Sequence, residues 1–287
     1  MSQPALLDEG ITCPICKQAL RLQQVPARPA RLSCPALHTF DAAKQGYFNL
    51  LTGKGTNFRE DGSAMVGARA AFLQAGHYAP LSQAISAYLV SSLAGVPSPR
   101  ILDAGAGTGY YLGEVLKVLP DSATAVALDI SKFAMRRAAK LPSTLALVWD
   151  LWRDLPLEDA SIDALINVFS PHNGAEFARV LRPGASALVI TPLPEHLMDG
   201  AELLGLLAIA EDKATGVVDS MGENFMLKDT TEIRVPLSLS AQEAFDLAMM
   251  GPAGHHADPQ ILRERIQVHA QRIELTAAFR IQEFTRK

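Results

Sequence analysis

The sequence predicts an α/β fold: a doubly wound, mostly parallel sheet behind a small N-terminal metal-binding module. Three observations carry this expectation. From residue 100 onward, apolar runs of strand length alternate with amphipathic helical stretches. A turn with glycines at 105, 107 and 109 joins the first of those strands to a helix. All three cysteines of the 287-residue chain fall within its first forty positions, with a histidine four places after the last.

The module comes first in the chain. Its spacing is Cys13-x2-Cys16, seventeen residues, then Cys34-x3-His38. Three thiolates and one imidazole make a common tetrahedral zinc shell, and the two short pairs match the knuckles of a zinc ribbon. Pro14 and Pro35 each follow the first cysteine of a pair, where they help to fix a tight turn. An odd number of cysteines cannot close a disulfide set, whereas zinc accommodates three thiolates and a reducing compartment. Four protein ligands leave no open position, so one structural Zn2+ per chain is expected, folding a segment too short to bury a core of its own.

Residues 51–98 read as a helical linker region. The stretch TGKGTNFREDGSAMVG is expected to be flexible or partly ordered, a helix pair runs through PLSQAISAYLVSSLAG, and the prolines of GVPSPR mark entry to the sheet. The expected division is therefore 1–50 for the zinc module, 51–98 for the linker and 99–287 for the sheet domain.

The strands of that domain follow in order. RILDAGAGTGYYLGEVLKVLP is a strand ending in Asp103, the glycine turn and a helix. ATAVALDIS ends at Asp129, LALVWD at Asp150, DALINVFS runs past Asn167, and ALVITPL follows RVLRPGA. Beyond His196 a helix-and-loop insertion extends to about residue 230, placed to cover the ligand crevice. TEIRVPLSLS returns as a strand, Ser240 with Glu243 forms a capping box for AQEAFDLAMM, and RIELTAAFRIQEF closes the sheet. In such a sheet the ligand lies over the carboxyl ends of the strands.

Composition excludes other classes. With 48% apolar residues and ordinary Gly and Pro content, the chain is not disordered. No apolar run approaches the ~20 residues of a membrane helix. The start, MSQPALLDEG, carries two acids in place of a basic leader, so a cytoplasmic protein with no membrane partner is expected. The net charge of −4 argues against general nucleic-acid binding, but its distribution does not. From Cys13 to Arg59 the basic residues are Lys17, Arg21, Arg28, Arg31, Lys44, Lys54 and Arg59 against the single acid Asp41, a pattern suited to a polyanion.

A glycine turn followed by an acid about twenty residues on also occurs in dinucleotide sites. Here the spacing is GxGxG after an acid, and RVLRPGA has no role in such a site. The form D-x-G-x-G-x-G with an acid closing the second strand resembles the Rossmann-like class I S-adenosylmethionine (AdoMet) methyltransferases. That resemblance implies a backbone approach to the methionine moiety at Asp103, Gly105 and Gly107, a ribose-binding carboxylate at Asp129, and an adenine partner at Asp150.

Taken with the module, the chain resembles the RlmA/TlrB family of 23S rRNA (guanine-N1)-methyltransferases over nearly its whole length. The phrases HTFDAAKQGYFNLL, ARAAFLQAGHYAPL, DAGAGTGYY and TPLPEHLMD carry it. The resemblance implies AdoMet-dependent methylation of N1 of a guanine in a domain II hairpin loop of 23S rRNA, near the macrolide-binding exit tunnel. It places the zinc ligands on Cys13, Cys16, Cys34 and His38, and AdoMet contacts on Tyr78, Gly107, Thr108 and His196. It implies 23S rRNA or a large-subunit assembly intermediate as partner, and a homodimer with a shared RNA cleft. RPGA stands where the family usually has RPGG, and VWDLWRDLP with FNLLTG is closer to the Gram-positive, tylosin-resistance-related branch.

Guanine N1 carries a proton at neutral pH, so methylation needs an acceptor for it. The fourth strand ends in NVFSPHN, similar to the acceptor loop of amino methyltransferases, and His172 or Asn173 is the candidate to meet the guanine edge. Tyr47, Phe48, Phe58, Tyr78 and Tyr110 are aromatics near the module or the glycine turn that could stack on bases or pack internally. Two rival readings share these features: a small-molecule methyltransferase of the same fold, and a non-catalytic zinc-ribbon RNA-binding protein that retains AdoMet. Methyl transfer to unmodified rRNA separates them.

Overall fold

The computed structural model describes residues 9–24, 29–53, 55–206, 213–268 and 272–287, so Arg28 and Lys54 of the basic stretch lie outside the described residues. The N-terminal module is a three-stranded antiparallel sheet, β1 (Arg21–Gln23), β2 (Arg31–Ser33) and β3 (Thr39–Asp41), in that order. Leu22, Leu32 and Phe40 are in register across it, and Leu32 and Phe40 turn inward. Arg31 and Asp41 face each other on the opposite side, Nε to Oδ1 2.6 Å.

The next strand, β4 (Phe48–Asn49), leaves the module and pairs with the large sheet. After α1 (Ser63–Gln74) and α2 (Ala79–Ser92) come the alternating elements: β5 (Arg100–Ala104), α3 (Tyr110–Leu116), β6 (Thr124–Asp129), α4 (Lys132–Ala138), β7 (Thr144–Val148), β8 (Ile162–Val168), α5 (Gly174–Val180) and β9 (Leu181–Pro192). The chain then adds α6 (Ala201–Leu204), α7 (Lys213–Met221), β10 (Phe225–Leu239), α8 (Ala241–Met250), α9 (Pro259–Gln267) and β11 (Ile273–Arg286). Ser240 and Glu243 form the expected capping box on α8.

The eight-stranded sheet runs β10-β11-β9-β8-β5-β6-β7-β4. Strands β4 to β9 are parallel to one another, while β11 runs antiparallel between β9 and β10. Strand order reverses at β5, whose two neighbours are β6 and β8, and the crevice over their carboxyl ends is the natural ligand position. The RPGA segment falls inside β9: Leu181 pairs with Ile162 and the register resumes only at Ser186 with Ala164, so residues 182–185 bulge from the ladder.

Residues of the central strands alternate between two cores, the period of two that a sheet covered on both faces requires. Ile101, Ala125, Ala127 and Ile166 face helices α1, α2, α3 and α8. Leu102, Val126, Leu147 and Leu165 face the other way, in one cluster with Ile11, Cys13, Leu32, Cys34 and Phe40 of the metal module. The division expected at residue 50 thus falls directly after a strand of the large sheet, and the core is continuous across it. The stretch expected to be flexible or partly ordered is tied down over residues 55–62: Thr56 Oγ1 donates to Asp150 at 2.7 Å, Glu60 meets Lys132 at 2.9 Å, and Asp61 meets Arg69 at 2.7 Å.

Candidate active site and metal centre

The four module ligands converge. Cys13 Sγ lies 3.6 Å from His38 Nδ1, Cys34 Sγ 3.5 Å from the same nitrogen, and Cys16 Sγ 3.6 Å from Cys34 Sγ. With metal–sulfur bonds of about 2.3 Å and metal–nitrogen bonds of about 2.0 Å, a tetrahedral shell has edges of about 3.5–3.8 Å, so the donor set fits one zinc ion. Two turns make this possible. Lys17 N–H donates to Cys13 O and Leu37 N–H to Cys34 O, both at 2.9 Å, and Lys17 and Leu37 take left-handed backbone angles of 59° and 64°. Burial pushes the Cys34 thiol up, but N–H groups of His38 and Ala36 with contacts from Cys16 and His38 outweigh it and bring it to about 7, toward the thiolate that zinc binds.

The glycine turn lies at the carboxyl end of β5, and Gly105, Gly107 and Gly109 all have positive φ. Gly107 N–H donates to Asp129 Oδ2 at 2.9 Å and Ser131 N–H to Oδ1 at 2.7 Å. Burial raises Asp129, and these two donors pull against it. Asp103 is buried with no hydrogen-bond partner for its carboxyl among the described residues, and burial with the neighbouring Asp129 pushes it to about 8. The hydroxyls of Tyr78, at the start of α2, and Tyr111, on α3, are buried without partners, and burial raises both phenols. Thr108 sits half-buried between the last two glycines. Two hydroxyl donors and a proton-retaining carboxyl around an open backbone turn fit a ligand bearing both an ammonium and a carboxylate, as the methionine end of AdoMet does.

Asp150, just past β7, is 5% exposed and accepts from Trp152 N–H at 3.0 Å and from the Thr56 hydroxyl. His196 lies on the far side, its Nδ1 3.0 Å from Ala278 O; burial lowers it to about 4, so it is neutral. Phe279 of β11 joins it to Tyr78, with ring centroids 5.0 and 4.8 Å away.

The loop after β8 presses on the glycine turn. Ser170 Oγ donates to Ala104 O at 2.7 Å, and a Cβ added at Gly105 would lie 2.3 Å from Ser170 Cβ and Oγ. Asn167 organises this loop. Fully buried, it shares its two Nδ2 hydrogens among Ala104 O, Ser170 Oγ and Pro171 O, at 2.9, 2.6 and 3.0 Å. Since carbonyls only accept, the amide orientation is fixed and Oδ1 must accept. His172 Nδ1 is its partner at 2.8 Å. The Nδ1 of His172 therefore carries the proton, and Nε2 of the neutral ring is an acceptor. Burial lowers the His172 pKa and keeps the ring neutral. Asn173 is engaged at both ends, Nδ2 donating to Leu151 O at 2.9 Å and Oδ1 capping α5 through Glu176 N–H, so the fold already uses the groups that would have met a guanine.

The N-terminal zinc-ribbon model described as "RlmA, N-terminal" matches residues 11–54, and a methyltransferase-domain model matches 101–184. A Micromonospora griseorubida protein named for 23S rRNA (guanine-N1)-methyltransferase activity is 42% identical over 94% of this chain and 95% of its own. The chain belongs to this methyltransferase family. A second member, the Streptomyces fradiae 23S rRNA (guanine(748)-N1)-methyltransferase, is 38% identical over 89% of each chain. Among solved structures, one chain of the Haloferax volcanii complex of the Trm112 methyltransferase activator with a methyltransferase superposes with TM-score 0.50 at 17% identity, over 80% of this chain and 99% of that one, which shows the shared fold. The family's two parts, zinc ribbon and AdoMet-dependent sheet, are both present.

The structure adds three residues to the candidate site that sequence reasoning does not single out. Arg69 of α1 sits over Gly107, 3.6 Å from where its Cβ would be, held by Asp61 and by Met250 O at 2.6 Å. Its phrase, ARAAFLQAGHY, was recognisable but gave no sign of which side chain turned inward. Tyr111 buries an unpartnered hydroxyl near Tyr78 and Asp103, whereas the sequence draws attention to its neighbour Tyr110. Phe279 had no local signal at all.

Proposed function

We propose that this protein methylates N1 of the domain II loop guanine of 23S rRNA that corresponds to position 748 in the name of its Streptomyces fradiae relative. The observation that carries this reading is the match to that relative over 89% of each chain, longer than the sheet domain alone. AdoMet, when bound, supplies an electrophilic methyl group on its sulfonium. Tyr78, Tyr111, Asp103 and Arg69 would hold its amino-acid end, Asp129 its ribose hydroxyls, and Asp150 its adenine.

The chain's own chemistry is to orient the base and take one proton. The guanine N1 lone pair forms the new N–C bond as the methyl C–S bond breaks, leaving a neutral thioether. The N1 proton passes to His172 Nε2, and Asn167 Oδ1 steadies the resulting imidazolium through Nδ1–H. Orientation supplies most of the rate, because the sulfonium methyl needs no activation. Cys13, Cys16, Cys34 and His38 hold the zinc that shapes the module. Arg21 and Lys44 of that module have no acidic partner among the described residues and are available for phosphates, while Lys17 and Arg31 are in exposed pairs with Asp154 and Asp41 that phosphate can displace. The test is mass spectrometry of domain II fragments from cells with and without the gene. A methyl group on N1 at position 748, dependent on the gene, is expected; an unchanged fragment would overturn the reading.

A further inference from the structure

Burial does not account for a phenyl ring at position 169. Phe169 follows β8 with a left-handed φ of 54°, a conformation that Gly or Asn adopts with least strain and a bulky residue seldom does. The ring is 44% exposed, so burial does not compensate for that backbone. The conformation is imposed on both sides: Phe169 N–H donates to Ile190 O at 3.0 Å, and Ser170 turns back onto Ala104 O. One side of the ring leans on Phe279, centroids 5.6 Å apart and planes inclined at 37°, with His196 at 6.5 Å. Phe169 is thus the outermost member of an aromatic series that begins with buried Tyr78 and Phe279.

We propose that Phe169 is the stacking platform for the nucleobase that receives the methyl group. A base taken out of its helix loses its stacking partners and needs a π face to replace them. Phe169 offers one within the same turn as His172, three residues away and on the loop that Asn167 holds rigid against the glycine turn. On this proposal a guanine lying on the ring would present its Watson–Crick edge toward His172, on the same loop. Trp152 and Phe58 are as exposed, but they belong to the loops around Asp150, on the other side of the glycine turn. The proposal rests on the reading of His172 as the N1 proton acceptor.

The test is a double-perturbation cycle with the full-length zinc-loaded protein. Wild type, Phe169→Leu and Phe169→Tyr are compared on an unmodified domain II hairpin and on the same hairpin with the methyl-accepting nucleotide made abasic, with AdoMet affinity measured alongside. Phe169→Leu is expected to weaken intact-hairpin binding about 5- to 150-fold, the range for loss of one base–aromatic stack. Phe169→Tyr should stay near wild type, and AdoMet affinity should change by less than about twofold. The abasic hairpin should lose affinity for wild type but none further for Phe169→Leu. Additive losses, or an AdoMet loss as large as the RNA loss, would overturn the proposal and assign the ring to packing. A methyl group found on a base position other than guanine N1, with the coupling intact, would instead remove the function proposed above and leave the platform standing. RNA that acquires no methyl group at all would remove both.

Discussion

Replacing Gly105 with alanine tests the closest contact in the candidate site. The added Cβ would lie 2.3 Å from both Cβ and Oγ of Ser170, far inside contact distance, at a residue whose φ is +84°. Two costs therefore add. An L-residue in the left-handed region costs about 1–2 kcal/mol, and overpacking a close-fitted contact costs about 1–3 kcal/mol. The sum, about 2–5 kcal/mol, is a large share of the stability of a domain. Ser170 cannot yield without releasing Ala104 O, and Asn167 then loses one of its three acceptors, so His172 is misdirected as well. Removing the obstructing side chain separates the two costs: in Gly105→Ala with Ser170→Gly, only the backbone strain and the lost Ser170 hydrogen bonds remain. Denaturant unfolding of the four proteins gives the coupling, expected to be favourable by about 1–3 kcal/mol. Additive losses, with the double variant destabilised by the sum of the two single changes, would refute the contact as the reason for glycine here.

The remaining predictions concern protons and metal. His172 is held neutral by burial, so its acid limb should lie below the ordinary value of 6.5: kcat/KM for rRNA stays level as pH falls to that value and drops only beneath it. His172→Gln should lower kcat by about 10²- to 10⁴-fold and flatten that limb; an unchanged rate would remove the assigned role. Asp103, with a folded value of about 8 raised above 3.8, keeps its proton in the free protein at pH 7. Its burial therefore costs stability progressively as pH rises from about 4 toward 8. A cationic ligand reverses this, so AdoMet binding at pH 7 should release a proton, detected by calorimetry in buffers of different ionisation heat and absent in Asp103→Asn. Cys34→Ser should abolish zinc retention, and hydrogen exchange should then rise in β1 to β4 and along β7, while β9 and β11 remain protected.

How much of this was legible in the sequence depended on how far each feature reaches along the chain. The Cys13–His38 pattern and the Gly105–Gly109 turn are written in local spacing, because a metal shell and a backbone turn each constrain neighbouring residues directly. The same is true of the Ser240–Glu243 capping box. His196 and Phe279 are different: the contact that places His196 is to a residue 82 positions away, and only the antiparallel insertion of β11 beside β9 creates it. Asn167 was visible as a polar residue closing an apolar strand, but its function lies in three carbonyl and hydroxyl partners and one imidazole that no spacing predicts. Phe169 read as one more apolar residue of a strand until its left-handed backbone put the ring outside.

The least legible feature bears most on function. Sequence suggests a zinc module joined to the sheet domain by a helical linker region that begins with a flexible or partly ordered stretch. The structure instead pairs β4 with β7, places Cys13 and Cys34 in one apolar cluster with Leu147 and Leu165, and ties Thr56 to Asp150. Asp129 and Asp150 close the two strands on this side of the glycine turn, and Asn167 closes the strand on its other side. The module and the loop after β8 are consequently parts of one packed unit, and the distance from Arg21 and Lys44 of the module, which have no acidic partner among the described residues, to His172 is set by core packing rather than by linker length. On the function proposed above, a rigid spacing of this kind would select RNA by shape, phosphates held at the module fixing which nucleotide of a loop can reach His172. Loosening the β4–β7 pairing, for example with Phe48→Ala, should therefore impair the choice of guanine more than the methyl-transfer chemistry. Mapping of methylated positions in the variant is expected to show secondary sites around the main one; methylation confined to a single guanine would place the specificity in the active-site loop alone.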